Sequence, residues 1–300
     1  MGCEYRLYVR APLKGFPVKD AIAYAIPVFM IFMAAEFVLG LRGERKLYRF
    51  HDAVTNLSCG IGSQLLGLGT GAVAFLIYSE SARTLAPWQV EDSWASWLFL
   101  LFAVDLGYYC FHRAAHRINF LWACHAVHHQ SEEYNYSVAL RQSWFAGFFS
   151  WAFYVPIVVL GFSPLSLLLV KTVNLLYQFW VHTRLMSRIP GVSWLFNMPT
   201  HHRVHHAINP KYIDKNYAGM FIIWDRLFGT FVEEEDEPVY GTVLPLESWS
   251  PLWANLYYWW GIARLSRQSG ALRDRLRAWI APPEWRPAEL GGDALIPEVS

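Results

Sequence analysis

Long apolar runs separated by short polar segments dominate the pattern along this chain. Apolar residues run almost unbroken from Ala21 to Leu41. At 1.5 Å per residue, a helix of that length crosses a hydrocarbon layer of about 30 Å. Similar runs extend from about Leu57 to Tyr78, Trp94 to Phe111, Trp144 to Phe162 and Leu165 to Val181. The last two meet at Gly161-Phe162-Ser163-Pro164, a turn signal that predicts a helical hairpin. Pro27 and Glu36 interrupt the first run, so a kink is expected there. Beyond the fifth run, Gly219 to Val232 and Leu252 to Ile262 are amphipathic but too short to span, and their tryptophans and tyrosines suit the membrane interface. The acidic run Glu233 to Glu237 reads as a solvated loop. From Arg267 charge and proline take over, and 285–300 reads as a loose tail. The expected organisation is an amino-terminal segment 1–20, a membrane domain 21–266 and a polar tail 267–300.

Composition agrees with that layout. The chain is 54% hydrophobic and only 16% charged, too apolar for an ordinary soluble domain of 300 residues. A net charge of +1 gives no basic face for nucleic acid, so no such partner is expected. Cys3, Cys59, Cys110 and Cys124 are far apart and form neither a disulfide framework nor a thiolate metal motif. No secretory signal pattern is present, and Arg6 spoils the myristoylation motif that Met1-Gly2-Cys3 begins.

Basic residues set the orientation. Arg42, Arg45, Lys46 and Arg49 follow the first run, Arg113, Arg117 and Arg141 the third, and Arg184 and Arg188 the fifth, whereas 80–93 offers Arg83 against Glu80, Glu91 and Asp92. The three basic regions belong on the cytoplasmic side. Arg6, Arg10, Lys14 and Lys19 compete for the same side, which leaves two alternatives: a re-entrant hairpin around Pro27, or a translocated amino terminus.

Histidine is the anomaly, with eleven in the chain and ten of them between 112 and 206. They form HRAAH (His112, His116), HAVHH (His125, His128, His129), the single His182 and HHRVHH (His201, His202, His205, His206). Residues four apart share a helix face, so His112 and His116 can serve one metal ion, and so can the outer members of each HxxHH. Asp105, seven residues before His112, could accept an outer imidazole N–H, and Asn174, Gln178 and His182 make a comparable stripe. A lone histidine such as His51 is more often a hydrogen-bonded interfacial side chain, and His51 receives no role. Clustered imidazoles would repel one another once protonated, and polar groups at a membrane boundary are functional by default. Neutral nitrogens in this number suit two borderline metal ions. A noncatalytic metal-binding or transport protein remains an alternative, although transport predicts ionisable residues strung through the bilayer rather than gathered at one level.

With HxxxH, HxxHH and HxxHH on one polytopic chain, the sequence resembles the fatty acid hydroxylase/sterol desaturase superfamily. HHQSEEYNYSVALRQS (128–143), NLLYQFWVHT (174–183), THHRVHHAINPKYIDKNYAGMFIIWDRLFGTF (200–231) and VYGTVLP (239–245) are similar to its branch that oxidises ether lipids with tetrahydrobiopterin. The similarity covers roughly 45–265; the chain is shorter than the animal members, and their carboxy-terminal membrane segments are not expected in it. The resemblance implies an all-α integral membrane protein of about four to five transmembrane helices under a cytosolic, histidine-rich helical cap holding a di-metal site. It implies His112, His116, His125, His128, His129, His182, His202, His205 and His206 as ligands of two iron ions, which zinc can replace during purification. Asp105, Asn174, Gln178 and His201 would support them, and Glu132 would be a catalytic or metal-proximal carboxylate. The implied reaction is O2-dependent hydroxylation of a membrane lipid, an alkylglycerol-type ether lipid among the candidates, with electrons from tetrahydrobiopterin or another donor. Desaturation of a lipid, sterol or carotenoid is the enzymatic alternative.

Overall fold

The computed structural model describes residues 18–43 and 46–290, with side chains from Tyr24 onward. The Met1-Gly2-Cys3 start, Arg6, Arg10, Lys14, Arg45 and residues 291–300 lie outside the described residues. Every element among the described residues is helical, and the only β-type pairing there is two isolated bridges, Phe196 with Phe221 and Ala207 with Tyr240. Three helices are long and apolar enough to cross a membrane: α1 (Val18–Arg42), α2 (Phe50–Leu85) and α3 (Trp94–Arg117). The chain is a membrane protein.

α1 continues through Pro27 to Arg42, so no re-entrant hairpin forms around that proline. Proline removes one backbone donor, and in a lipid setting the remaining helical bonds are the best way to satisfy the backbone. Phe29 stacks on Phe179 at 3.8 Å between ring centres, which holds α1 against α7 (Pro164–Trp180). The buried Glu36 carboxylate accepts from Thr183 Oγ1 and Tyr48 OH, each at 2.5 Å, and from Tyr136 N at 2.9 Å.

The run expected as one span over Trp144 to Phe162 is broken. α5 (Gly147–Ser150) passes through a 3-10 turn at Trp151–Tyr154 into α6 (Val155–Val159), whose first turn holds Pro156. Gly161 then takes φ +96, open to glycine and strained for other residues, and Ser163-Pro164 starts α7, giving the expected hairpin turn. Tyr78, Leu100, Val104, Ile157, Val158 and Leu167 form the apolar core that joins α2, α3, α6 and α7.

Ser93 and Ser96 exchange hydrogen bonds in a capping box that starts α3. Its end is set by Ile118, whose extended backbone turns the chain straight into α4 (Asn119–His129). Short helices α8 (Val192–Leu195), α9 (Pro199–His205) and α10 (Ile223–Leu227) complete the cap, followed by α11 (Pro251–Gln268) and α12 (Leu272–Ile280). Of the two amphipathic pieces read from sequence, the first shrinks to α10, because carboxylates hold its flanking backbone in loop form, and the second lengthens into α11. The segment expected as a loose tail is packed as far as Leu290: Trp285 is buried with Leu265, Ala278 and Ala281, and Glu289 accepts from Gly270 N.

Candidate metal centre

The carboxyl ends of α3 and α7, the amino end of α2, and helices α4 and α9 meet at one end of the bundle. There His112, His116, His125, His129 and His205 form one group, and His128, His182, His202 and His206 a second. Within each group the candidate ligand nitrogens lie within 4.8 Å of one another. The groups adjoin, since the His129 and His206 rings stack at 4.4 Å and those of His202 and His205 lie 5.1 Å apart. All are buried except the half-buried His125.

Backbone carbonyls fix the rings. His112 Nδ1 bonds to Tyr217 O at 2.7 Å, His128 Nδ1 to Arg141 O at 3.1 Å, His182 Nδ1 to Gln178 O at 2.8 Å and His205 Nδ1 to Lys215 O at 2.9 Å. A carbonyl only accepts, so each Nδ1 carries the proton and each Nε2 turns a lone pair inward. The Nε2 atoms of His112 and His125 stand 2.7 Å apart, and those of His182 and His202 3.1 Å apart. His116 Nε2 and His205 Nε2 are buried with no hydrogen-bond partner. Converging lone pairs and orphaned ring nitrogens are what metal ions satisfy, so the donor set fits two of them. Burial, reinforced by neighbouring imidazoles, holds His125, His129, His182, His202, His205 and His206 well below the ordinary 6.5. Burial also brings His128 down to about 4. Burial thus favours the neutral form of these seven rings, as ligation requires.

The local sequence explains the placement of two of those carbonyls. Asp214 and Asn216 adopt φ +59 and +54, a left-handed conformation that these two residue types tolerate, and the alternation presents Lys215 O and Tyr217 O to the histidines. Asp214 also faces His116 Nδ1 at 3.5 Å and accepts from Arg117 at 2.5 Å. Asp225 accepts from Tyr217 N and Ala218 N at 2.8 Å each and from Thr230 Oγ1 at 2.6 Å, locking the same loop.

Asp105 does not touch a histidine, contrary to expectation. It lies fully buried one level deeper and accepts from Asn174 Nδ2, Met220 N, Phe221 N and Trp224 Nε1 at 2.6 to 2.9 Å. A Cβ on Gly219 would sit 2.8 Å from its Oδ1, so that close approach requires glycine. Gln178 donates to Asn174 Oδ1 at 2.6 Å and reaches His182 through its backbone carbonyl rather than its side chain. His201 is buried outside both groups; its Nδ1 accepts from Met198 N at 3.3 Å, capping α9, and its carbonyl accepts from Asn216 Nδ2. Glu132 is not brought to either group: its side chain is 52% exposed and takes Arg49 Nη1 at 2.9 Å. His51 is exposed beside Phe50. Glu233 and Glu234, read as solvated loop, pair with Arg188 and Arg203.

A cavity of about 360 Å³ opens onto His116, His129, His205 and His206. Trp122, Ile208, Ile213, Val243, Leu244 and Tyr258 give it apolar walls, and Arg117, Asp214, Glu284 and Arg286 line it with charge. Of these, the sequence pattern singled out only the histidines and, as a topogenic charge, Arg117; the VYGTVLP stretch carries Val243 and Leu244 without showing that they line a cavity.

Fold and site define a membrane protein with two adjoining clusters of histidines that could hold metal ions, beside an apolar pocket. The fatty acid hydroxylase family model matches residues 97–230, the stretch that supplies all nine caged histidines. That stretch is therefore similar to the fatty acid hydroxylase family. It is 37% identical over 290 residues to an alkylglycerol monooxygenase of Xenopus tropicalis, 42% over 294 to one of Danio rerio and 38% over 292 to one of Homo sapiens. Each comparison takes in 94% of this chain, which spans 64% of the length of these relatives. No solved structure matches it.

Proposed function

We propose that the chain is a membrane lipid hydroxylase that uses O2, with the nine caged histidines holding two iron ions. The observation that carries the reading is the orphaned nitrogen pair, His116 Nε2 and His205 Nε2, turned into a buried histidine cluster on the wall of an apolar cavity. Iron bound there supplies the redox chemistry that activates O2 for insertion into a C–H bond, which zinc on the same nitrogens does not.

The chain's own residues position and exclude. Carbonyls of Tyr217, Arg141, Gln178 and Lys215 keep the imidazoles in one tautomer, and Trp122, Leu244 and Tyr258 present apolar surface to an alkyl chain while shedding water. The charged pairs at Arg117, Asp214, Glu284 and Arg286 offer donors and acceptors to a polar head group. By relation to the alkylglycerol monooxygenases, an alkylglycerol-type ether lipid is the first substrate to test. Tetrahydrobiopterin is the electron donor that the sequence resemblance implies, and the aromatic walls suit a pterin as well as a lipid. We place the histidine end on the cytoplasmic face, since Lys46, Arg49, Arg113, Arg117, Arg184 and Arg188 gather there and Glu80, Glu91 and Asp92 lie at the other end.

Purified protein in lipid nanodiscs, loaded with iron and given an alkylglycerol, O2 and tetrahydrobiopterin, should consume the lipid only when oxygen and iron are both present. Absence of oxidised product from ether lipids, acyl lipids and sterols with iron bound would overturn the proposal.

A further inference from the structure

α12 is turned inside out compared with a helix of a soluble domain. Its packed face is the buried Ala278, whose carbonyl accepts from Asn119 Nδ2 at 2.8 Å, with Asp274 half-buried one turn earlier. Leu272, Leu276 and Ile280 follow one another at four-residue intervals and are 71%, 62% and 62% exposed. At about 100° per residue they form one stripe on the side roughly opposite Ala278. Arg273 and Arg275 are exposed on either flank of that stripe, and Arg277 lies over the Trp285 ring at 4.9 Å. α11 repeats the plan: Leu252, Leu256 and Trp260 are exposed at the same spacing, away from the buried Ala254, Ile262 and Leu265, and Arg264 stacks over Trp260 at 5.4 Å. From 264 to 286 six arginines face only Asp274 and Glu284.

An apolar stripe bordered by guanidinium groups matches the boundary between acyl chains and anionic head groups, where the aliphatic side chains leave water and the arginines meet phosphate and carboxylate oxygens. We infer that the α11–α12 hairpin docks on an anionic lipid leaflet at the histidine end, with Leu272, Leu276 and Ile280 among the acyl chains and Arg273, Arg275 and Arg277 on the head groups. The residues that follow, Pro283, Glu284 and Arg286, line the cavity, so docking brings its mouth to the lipid surface. The inference rests on the chain being a membrane protein and is independent of any oxidation chemistry.

The test uses full-length protein in nanodiscs of phosphatidylcholine with or without phosphatidylserine, in a background with Cys3 and Cys110 replaced by serine. Nitroxide labels are placed at Leu276→Cys, Ile280→Cys and, as an aqueous control, Glu235→Cys. With phosphatidylserine present, labels at 276 and 280 should collide several-fold more with O2 than with a water-soluble nickel complex, and the label at 235 should show the reverse. Arg273→Gln with Arg277→Gln should move the 276 label toward water. A 276 label as nickel-accessible as the 235 label overturns docking. Equal immersion in both lipid compositions overturns the anionic assignment. Strong coupling between labels of two copies would show that a second chain covers the face and overturn it as well.

Discussion

The backbone carbonyl of Arg141 meets His128 Nδ1 at 3.1 Å, and its buried guanidinium grips the same turn by donating to Val127 O at 2.6 Å and Gln130 Oε1 at 3.1 Å. A third bond, to Asn56 Oδ1 at 2.9 Å, with Asp52 Oδ1 at 3.7 Å, ties this turn to the start of α2. One residue therefore orients a caged histidine, closes the end of α4 and anchors both to a membrane helix.

Replacing Arg141 by Met keeps the volume but leaves the Val127 carbonyl unpaired and Asp52 without its buried partner. Breaking such a pair costs about 3 to 5 kcal/mol. We expect a clear drop in unfolding temperature in detergent together with reduced metal content. Arg141→Lys should recover only part of either, because an ammonium cannot make the three-way fork.

Val243→Trp tests the cavity separately from the cage. The larger ring takes up room in the cavity that Val243, Leu244 and Tyr258 line, and the carbonyls that hold the histidines belong to residues outside that lining. Metal content should match the parent protein, while turnover of a lipid substrate falls by at least about tenfold, a modest loss for a displaced reacting carbon. Unchanged turnover would remove the cavity from the substrate path.

The histidine clusters were legible because i, i+4 spacing is a local property, and the nine residues implied by the resemblance are the nine that the fold brings into two groups. Their supports were less legible. Tyr217, Arg141, Lys215 and Gln178 act through backbone carbonyls, which carry no side-chain signature. The run Asp214-Lys215-Asn216 held a usable hint, since Asp and Asn are common where φ turns positive. Asp105 was read as a histidine partner from its place in the stripe, but four donors from α7 and the 220–224 segment claim its oxygens, a tertiary choice that spacing does not encode. The Trp144 to Phe162 run was apolar enough to suggest one span, yet the chain breaks there into α5, a 3-10 turn and α6. α12 was hidden among arginines because its apolar residues face outward.

Glu132→Gln separates the role implied by resemblance from the geometry. With its carboxylate exposed and paired to Arg49, the substitution should leave metal content and turnover within about threefold of the parent, in line with the small worth of a surface pair. A loss of a hundredfold with metal retained would restore a catalytic role.

Acid should dismantle the site in a defined window. His128 falls to about 4 and His125, His129, His182, His202, His205 and His206 lie well below the ordinary 6.5, all chiefly through burial. A base with a depressed folded pKa contributes stability that is present above the unfolded value and lost as pH falls toward the folded one. Chelator-treated protein should therefore lose unfolding temperature steadily from about pH 6.5 to about 4. A flat profile over that range would contradict neutral, buried imidazoles.

Metal analysis of gently purified protein counts the ions that the two histidine groups hold. About two ions per chain are expected, iron in the protein that oxidises lipid. His205→Ala, from the first group, and His202→Ala, from the second, should each lower occupancy, while His201→Ala, buried beside them but outside both groups, should keep it. A stoichiometry near zero, or occupancy that falls as much for His201→Ala as for His205→Ala, would contradict the two-cage site.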